Sequence, residues 1–129
     1  MGGTREGAIG AAIADIYGGR NEGGMLCCTL QAVNAEGVDV SIQVMADSIS
    51  LAPYPHAEEP VTRLQISGAL DGLEDMELEL VDWDANAFAT VGTAGNAPAL
   101  VARLIDGTFL RVLGCAPDYA FEASTEDLS

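Results

Sequence analysis

The run Val38-Asp39-Val40-Ser41-Ile42-Gln43-Val44 decides the fold class. Four β-branched apolar residues alternate with three polar ones. Successive side chains of a strand point to opposite faces, so this run reads as a strand with one buried and one wet face. The run before it, Met25 to Val33, is apolar and β-prone, and Asn34-Ala35-Glu36-Gly37 between them is a turn sequence. The two runs make a hairpin. Ile49 and Leu51 mark a short third strand, ended by Pro53-Tyr54-Pro55. Prolines cannot donate to a strand ladder, which keeps residues 53–60 out of a sheet interior.

Further along, Leu64, Ile66 and Leu70 are interleaved with Arg63, Gln65 and Ser67. Asp71-Gly72 offers a turn, and Met76, Leu78 and Leu80 then alternate with Asp75, Glu77 and Glu79. This stretch reads as a second hairpin. Trp83 falls out of phase with Leu80, which places a bulge or a strand end at Val81–Asp82. Phe88 to Val91 supplies one more short strand.

Helical spacing flanks the strands. Ile9, Ala12, Ile13, Ile16 and Tyr17 gather on one face of a helix over residues 5–17, with Thr4 to cap it and Gly18-Gly19 to stop it. Residues 18–24 read as a connector. Near the other end, Asn96 is a candidate cap and Pro98 suits a first helical turn. Val101, Leu104, Ile105, Thr108, Phe109 and Val112 keep the 3.6-residue period, which favours one helix running through Gly107 at a cost of about 1 kcal/mol. The rival reading ends the helix at Asp106-Gly107 and makes residues 108–113 a strand. Residues 1–4 and the acidic tail over 117–129 read as frayed. The expected architecture is α+β: an N-terminal helix, an antiparallel meander of about five or six strands, and a C-terminal helix packed on the sheet. At 129 residues it reads as one domain.

Composition narrows function. Twenty acidic residues face five arginines, with no lysine, giving a formal net charge of -15. Such a chain repels nucleic acid phosphates and anionic membranes, so neither is an expected partner. It favours basic proteins, although a high-salt cytoplasm selects the same composition. Without lysine there is no Schiff base, and His56 is the only imidazole. Cys27, Cys28 and Cys115 are odd in number, and two are adjacent. They read as reduced thiols of a cytoplasmic protein, not as a disulfide framework. The apolar stretch 8–17 is too short, and too broken by Asp15, to be a signal peptide or a membrane span.

No catalytic motif is complete, and no cofactor is expected. Asp82-Trp83-Asp84-Ala85-Asn86 matches the opening of a calcium loop, with Asp82, Asp84 and Asn86 as the oxygen ligands. Ala87 and Thr93 then stand where that loop wants glycine and glutamate, so a polar turn is the reading preferred. Asp75, Glu77 and Glu79 line one face of the expected strand and are the candidate protein-binding residues. Arg63, Arg103 and Arg111 are the candidate ligand-binding residues, because arginines gathered in a pocket bind anions. Arginines dispersed and paired to carboxylates favour a protein-binding role instead. His56 reads as an exposed loop residue with neither nucleophile nor orienting acid beside it.

In size, acidity and helix–strands–helix order the chain resembles type III secretion chaperones and the related YbjN-like proteins, without an accompanying motif. That resemblance implies a protein-binding role and a middle helix, whereas residues 56–75 read as loop and strand. The functional expectation is a non-enzymatic, acidic protein-binding or chaperone-like module with a protein partner of basic character and a propensity to form a homodimer. The alternative is a small-molecule or metal-binding domain, an enzyme included, whose site is scattered in sequence.

The charge yields a first prediction. Self-repulsion opposes the compact state, and the screening length falls from about 30 Å at 0.01 M salt to about 3 Å at 1 M. The melting temperature rises with sodium chloride over that range. Thermal melts that are flat or fall with salt reject self-repulsion as a constraint on this chain.

Overall fold

The alternating run lies inside the sheet, with a partner on each side. A computed structural model of the chain describes residues 5–17, 26–54, 56–73, 75–84 and 87–127. Along these residues the elements are α1 (Arg5–Tyr17), β1 (Leu26–Val33), β2 (Asp39–Met45), β3 (Ser48–Ala52), α2 (Pro60–Ser67), β4 (Glu79–Asp84), β5 (Phe88–Gly92), α3 (Pro98–Arg111) and β6 (Phe121–Asp127). The strands form one antiparallel sheet in the order β4-β5-β3-β2-β1-β6. The fold is therefore α+β, as the patterning requires. No helix among the described residues is long and apolar enough to cross a membrane.

Register puts the apolar residues on one face. Leu30 pairs with Ile42, and Ile42 with Leu51; Val44 pairs with Ile49, and Ile49 with Val91. All six are buried in the core with Ile9, Ile13 and Ile16 of α1 and Val101, Leu104, Ile105 and Phe109 of α3. Helix α1 contacts β1 and β2, α3 runs along α1, and α2 touches β4, β5 and α3. The opposite face carries Thr29, Gln43, Ser50 and Thr90, paired across neighbouring strands, with Ser50 and Thr90 bonded at 2.9 Å.

Three readings are corrected. Residues 60–67, read as loop and strand, form α2, so the middle helix implied by the resemblance is present. The Glu59 carboxylate caps it, Oε1 accepting from the Val61 amide at 2.6 Å and Oε2 from that of Thr62 at 3.3 Å. Pro60 opens the helix and Gly68 closes it in the left-handed conformation, at φ 86°. Only Pro60 and Leu64 of this helix are buried, while Ile66, expected to face inward, is 61% exposed.

The second correction concerns residues 75–78, which precede the strand instead of belonging to it. The Glu77 amide donates to Asn96 Oδ1 at 3.0 Å, and Asn96 Nδ2 returns a bond to the Glu77 carbonyl at 2.6 Å. Side-chain clamping thus takes the place of a ladder here. Asn96 is committed to Glu77, and the cap position of α3 falls to Ala97, with no side-chain bond. The bulge does lie where the phase slip put it, between Leu80 and Asp82.

Third, residues 121–127, expected to fray, pair with β1 over seven positions. The expectations for residues 1–4, for the connector 18–24 and for Asn86 lie outside the described residues.

Helix α3 runs unbroken through Gly107, which settles the choice between helix and strand over residues 108–111. A Cβ built at Gly107 would stand 3.0 Å from the Ala69 carbonyl oxygen and 3.4 Å from its Cα. This glycine lets the segment after α2 press onto the helix. Alanine is worth about 1 kcal/mol more than glycine inside a helix. Gly107→Ala is nonetheless expected to gain nothing, and Gly107→Val to lose about 1–3 kcal/mol by overpacking. Urea titrations check this, and a Gly107→Val chain as stable as the parent would show that the Ala69 backbone gives way freely.

Candidate functional site

The region of β4 and α2 carries three of the five large apolar side chains exposed among the described residues, the other two being Val33 and Val38. Strand β4 is at the sheet's edge, with β5 as its one neighbouring strand among the described residues. Leu80 is 42% and Val81 58% exposed there, and Ile66 lies exposed on the adjoining helix. The register shifts between Leu80 and Asp82, so regular alternation of inward and outward side chains is broken where Leu80 and Val81 are exposed. Two open depressions flank the segment leading into β4. One, of about 430 Å³, is lined by Val61, Gln65, Leu70, Met76, Glu77 and Leu78. The other, of about 360 Å³, is lined by Asp47, Ser48, Glu77, Leu78, Glu79, Val81, Gly92 and Ala94.

Asp75, Glu77 and Glu79 are all exposed and border this corner. They do not form a row on one strand, since only Glu79 belongs to β4. Asp82 and Asp84 lie further along β4, exposed. Asp82 Oδ1 accepts from the Trp83 amide at 2.9 Å. Among the described residues no group of three or more histidine, cysteine, aspartate or glutamate side chains is placed to hold a metal.

The three arginines are not brought together. Arg63 lies beside Glu58, at 3.3 Å. Arg103 and Arg111 do share a shallow recess of about 180 Å³ between α3 and the segment that follows α2, but Glu6, Asp71 and Asp106 line it as well. Three carboxylates against two guanidiniums make this a poor anion site.

Sequence reasoning missed a polar network at the base of α3. Asp106 Oδ1 accepts from Arg5 Nε at 2.6 Å and from the Tyr119 hydroxyl at 2.8 Å. Arg5 Nη1 also donates to the Pro117 carbonyl at 2.7 Å, and its guanidinium lies 4.0 Å from the centroid of the Tyr119 ring. Burial works against the Arg5 charge, but the bond and charge of Asp106 prevail and its pKa is raised. The network ties the start of α1 to α3 and to the chain leaving it. Its members lie 101 and 13 residues apart, so no local pattern announces it.

His56 is likewise engaged, against the expectation of an exposed loop residue. Its Nε2 lies 2.7 Å from the Val112 carbonyl, and its ring meets Tyr54 edge-on at 5.4 Å. Tyr54 is fully buried, and its hydroxyl donates to the Glu58 carbonyl at 2.5 Å. These contacts tie the loop after β3 to the end of α3. All three cysteines are free and buried, and burial pushes each thiol pKa up, away from the reactive thiolate.

Comparison with known proteins leaves the class of the molecule to its geometry: no family model matches the chain, and neither a curated protein nor a solved structure gives a significant match.

The buried phenols set the alkaline limit of the fold. Burial pushes the Tyr54 pKa up to about 12, with Glu58 adding to the shift and Arg63 opposing it. Burial also raises Tyr119, reinforced by its bond to Asp106. An unfolded tyrosine titrates near pH 10. An acid whose pKa is higher in the folded state binds its proton more tightly there, so the stabilisation is complete below about pH 10 and is lost as pH rises above it. Denaturant titrations between pH 7 and 11.5 are expected to show a decline that begins above about pH 8.5, where unfolded thiols titrate, and steepens near pH 10, where unfolded tyrosines do. The decline should be shallower in Tyr119→Phe, measured against its own value at pH 8. Identical slopes in the two chains would remove Tyr119 from the account.

Proposed function

We propose that this chain is a non-enzymatic, acidic protein-binding module of chaperone type, which takes a basic, extended segment of a partner at the corner of β4 and α2. The carrying observation is the free edge of β4, with Leu80 and Val81 exposed along it. An open strand edge offers backbone donors and acceptors to an added strand, and neighbouring apolar side chains supply affinity. Asp75, Glu77 and Glu79 around that edge, in a chain of net charge -15, select a cationic partner and speed its approach. The middle helix α2 adds to the resemblance to type III secretion chaperones and YbjN-like proteins. A scattered small-molecule site is the weaker reading, because Arg63 stands apart and the recess of Arg103 and Arg111 is lined by acids.

A second copy is the other occupant this corner favours, since an open edge and an apolar patch can pair with themselves about a two-fold axis. Like charge opposes that association at low salt.

A labelled synthetic peptide of alternating arginine and valine tests the main reading by fluorescence anisotropy. The parent chain binds it, and Val81→Arg weakens binding at least tenfold. The triple variant Asp75→Asn, Glu77→Gln, Glu79→Gln also weakens it, with a smaller dependence on salt. If all three chains bind alike, the corner is not the site. Light scattering at low and high salt reads the second copy directly, as a mass of either one chain of 13.3 kDa or two.

A further inference from the structure

The opposite edge of the sheet is covered, but by a strand with little to hold it. From Glu122 to Glu126 every residue of β6 is exposed, and only Phe121 is half-buried against the core. The chain just before it is pinned firmly. Arg5 holds the Pro117 carbonyl, and the Tyr119 ring is buried against Phe109 with centroids 5.1 Å apart. Beyond that anchor, attachment rests on the backbone ladder to β1, on one aromatic ring and on a side-chain bond between Thr125 and Cys28.

The register shows what β6 contributes. Ala123 stands opposite Leu30 and Thr125 opposite Cys28, both on the core side, where the strand offers a methyl group and a hydroxyl. Glu122 stands opposite Gln31 and Glu126 opposite Cys27 on the other face. Neither glutamate pairs with a cation across the ladder, and both add to the repulsion within an acidic molecule. Elements with few buried apolar contacts and an exposed ladder open at low free energy, independently of the core.

We propose that β6 is a placeholder on the β1 edge, displaced by an extended segment of a partner that is basic on one face and β-branched on the other. Such a segment keeps the antiparallel ladder, replaces the two glutamates with attractive charge, and carries better strand formers opposite Leu30 and Cys28. The anchor at residues 117–119 keeps the released strand tethered, so it recloses when the partner leaves. This edge lies at the far side of the sheet from β4, and the inference does not depend on the β4–α2 corner.

The probe is a labelled peptide copying residues 121–126 with Glu122→Arg, Ala123→Val, Thr125→Val and Glu126→Arg. It is titrated onto full-length chains that all carry Val81→Arg, which blocks the other edge. Phe121→Ala in the chain is expected to raise its affinity at least tenfold. Building the same four substitutions into the chain's own β6 is expected to lower it at least tenfold, because the placeholder is then as good as the probe. Hydrogen exchange on the unsubstituted chain provides a measurement free of variants. The amides of β6 exchange at least tenfold faster than those shared by β2 and β3, and added peptide exposes β6 while β2 and β3 keep their protection. Equal affinities across the chains overturn the proposal. So does exchange from β6 as slow as from β2, which would make β6 part of the cooperative core.

Discussion

Leu30, Ile42, Val44, Ile49, Leu51 and Val91 project to one side of the sheet from four different strands, and removing that surface from water is the interaction on which the other contacts depend. Burying each such side chain contributes about 1.5–3 kcal/mol. Where β1, β2, β3 and β5 pair, the opposite face carries Thr29, Gln43, Ser50 and Thr90 and is largely polar. All three helices therefore lie on the same side. Helix α3 must pack beside α1, and this is what brings Arg5, Asp106 and Tyr119 within hydrogen-bonding distance. The network is a consequence of the one-sided layer and reinforces it.

The parts legible in the sequence were those whose period repeats. Helices α1 and α3 and the β1–β2 hairpin each carry four or more apolar residues in a single phase, and the structure places them accordingly. Helix α2 was hidden because it has eight residues and buries only two, so Leu64, Ile66 and Leu70 fit alternation as well as helical spacing. Its markers were present in Glu59-Pro60 and Gly68, but glutamate is an uncommon cap. Strand β6 was hidden for the converse reason: it buries almost nothing, so no apolar pattern marks it. Of the candidate site, the acidic residues were found and the apolar ones were not. The phase slip located the bulge but not the exposure of Leu80 and Val81 beside it, and Ile66 is exposed on a short helix that alternation concealed.

Charge and edge structure act together. Both outer strands of the sheet carry carboxylates, Glu79, Asp82 and Asp84 on β4 and Glu122 and Glu126 on β6. Charged residues on an edge discourage the edge-to-edge pairing of identical sheets. A molecule protected in this way from its own copies at low salt remains open to a strand of opposite sign. In the proposed role, that acidity favours a partner strand of opposite sign over a like-charged one.

The three thiols fall in different parts of the molecule and are shut off by different contacts. Cys28 lies under α1, its Sγ 3.5 Å from the Ala12 carbonyl. Cys27 points to the other face of the same strand, and Cys115 sits in the connection after α3, its amide bonded to the Phe109 carbonyl at 2.9 Å. With all three buried, an alkylating reagent finds each one only when its own cover lifts. The chain therefore carries three built-in clocks: Cys115 timing the release of the segment after α3, Cys28 the departure of α1 from the sheet, and Cys27 the exposure of the polar face beside β6. The order in which they are modified records the order in which the molecule comes apart.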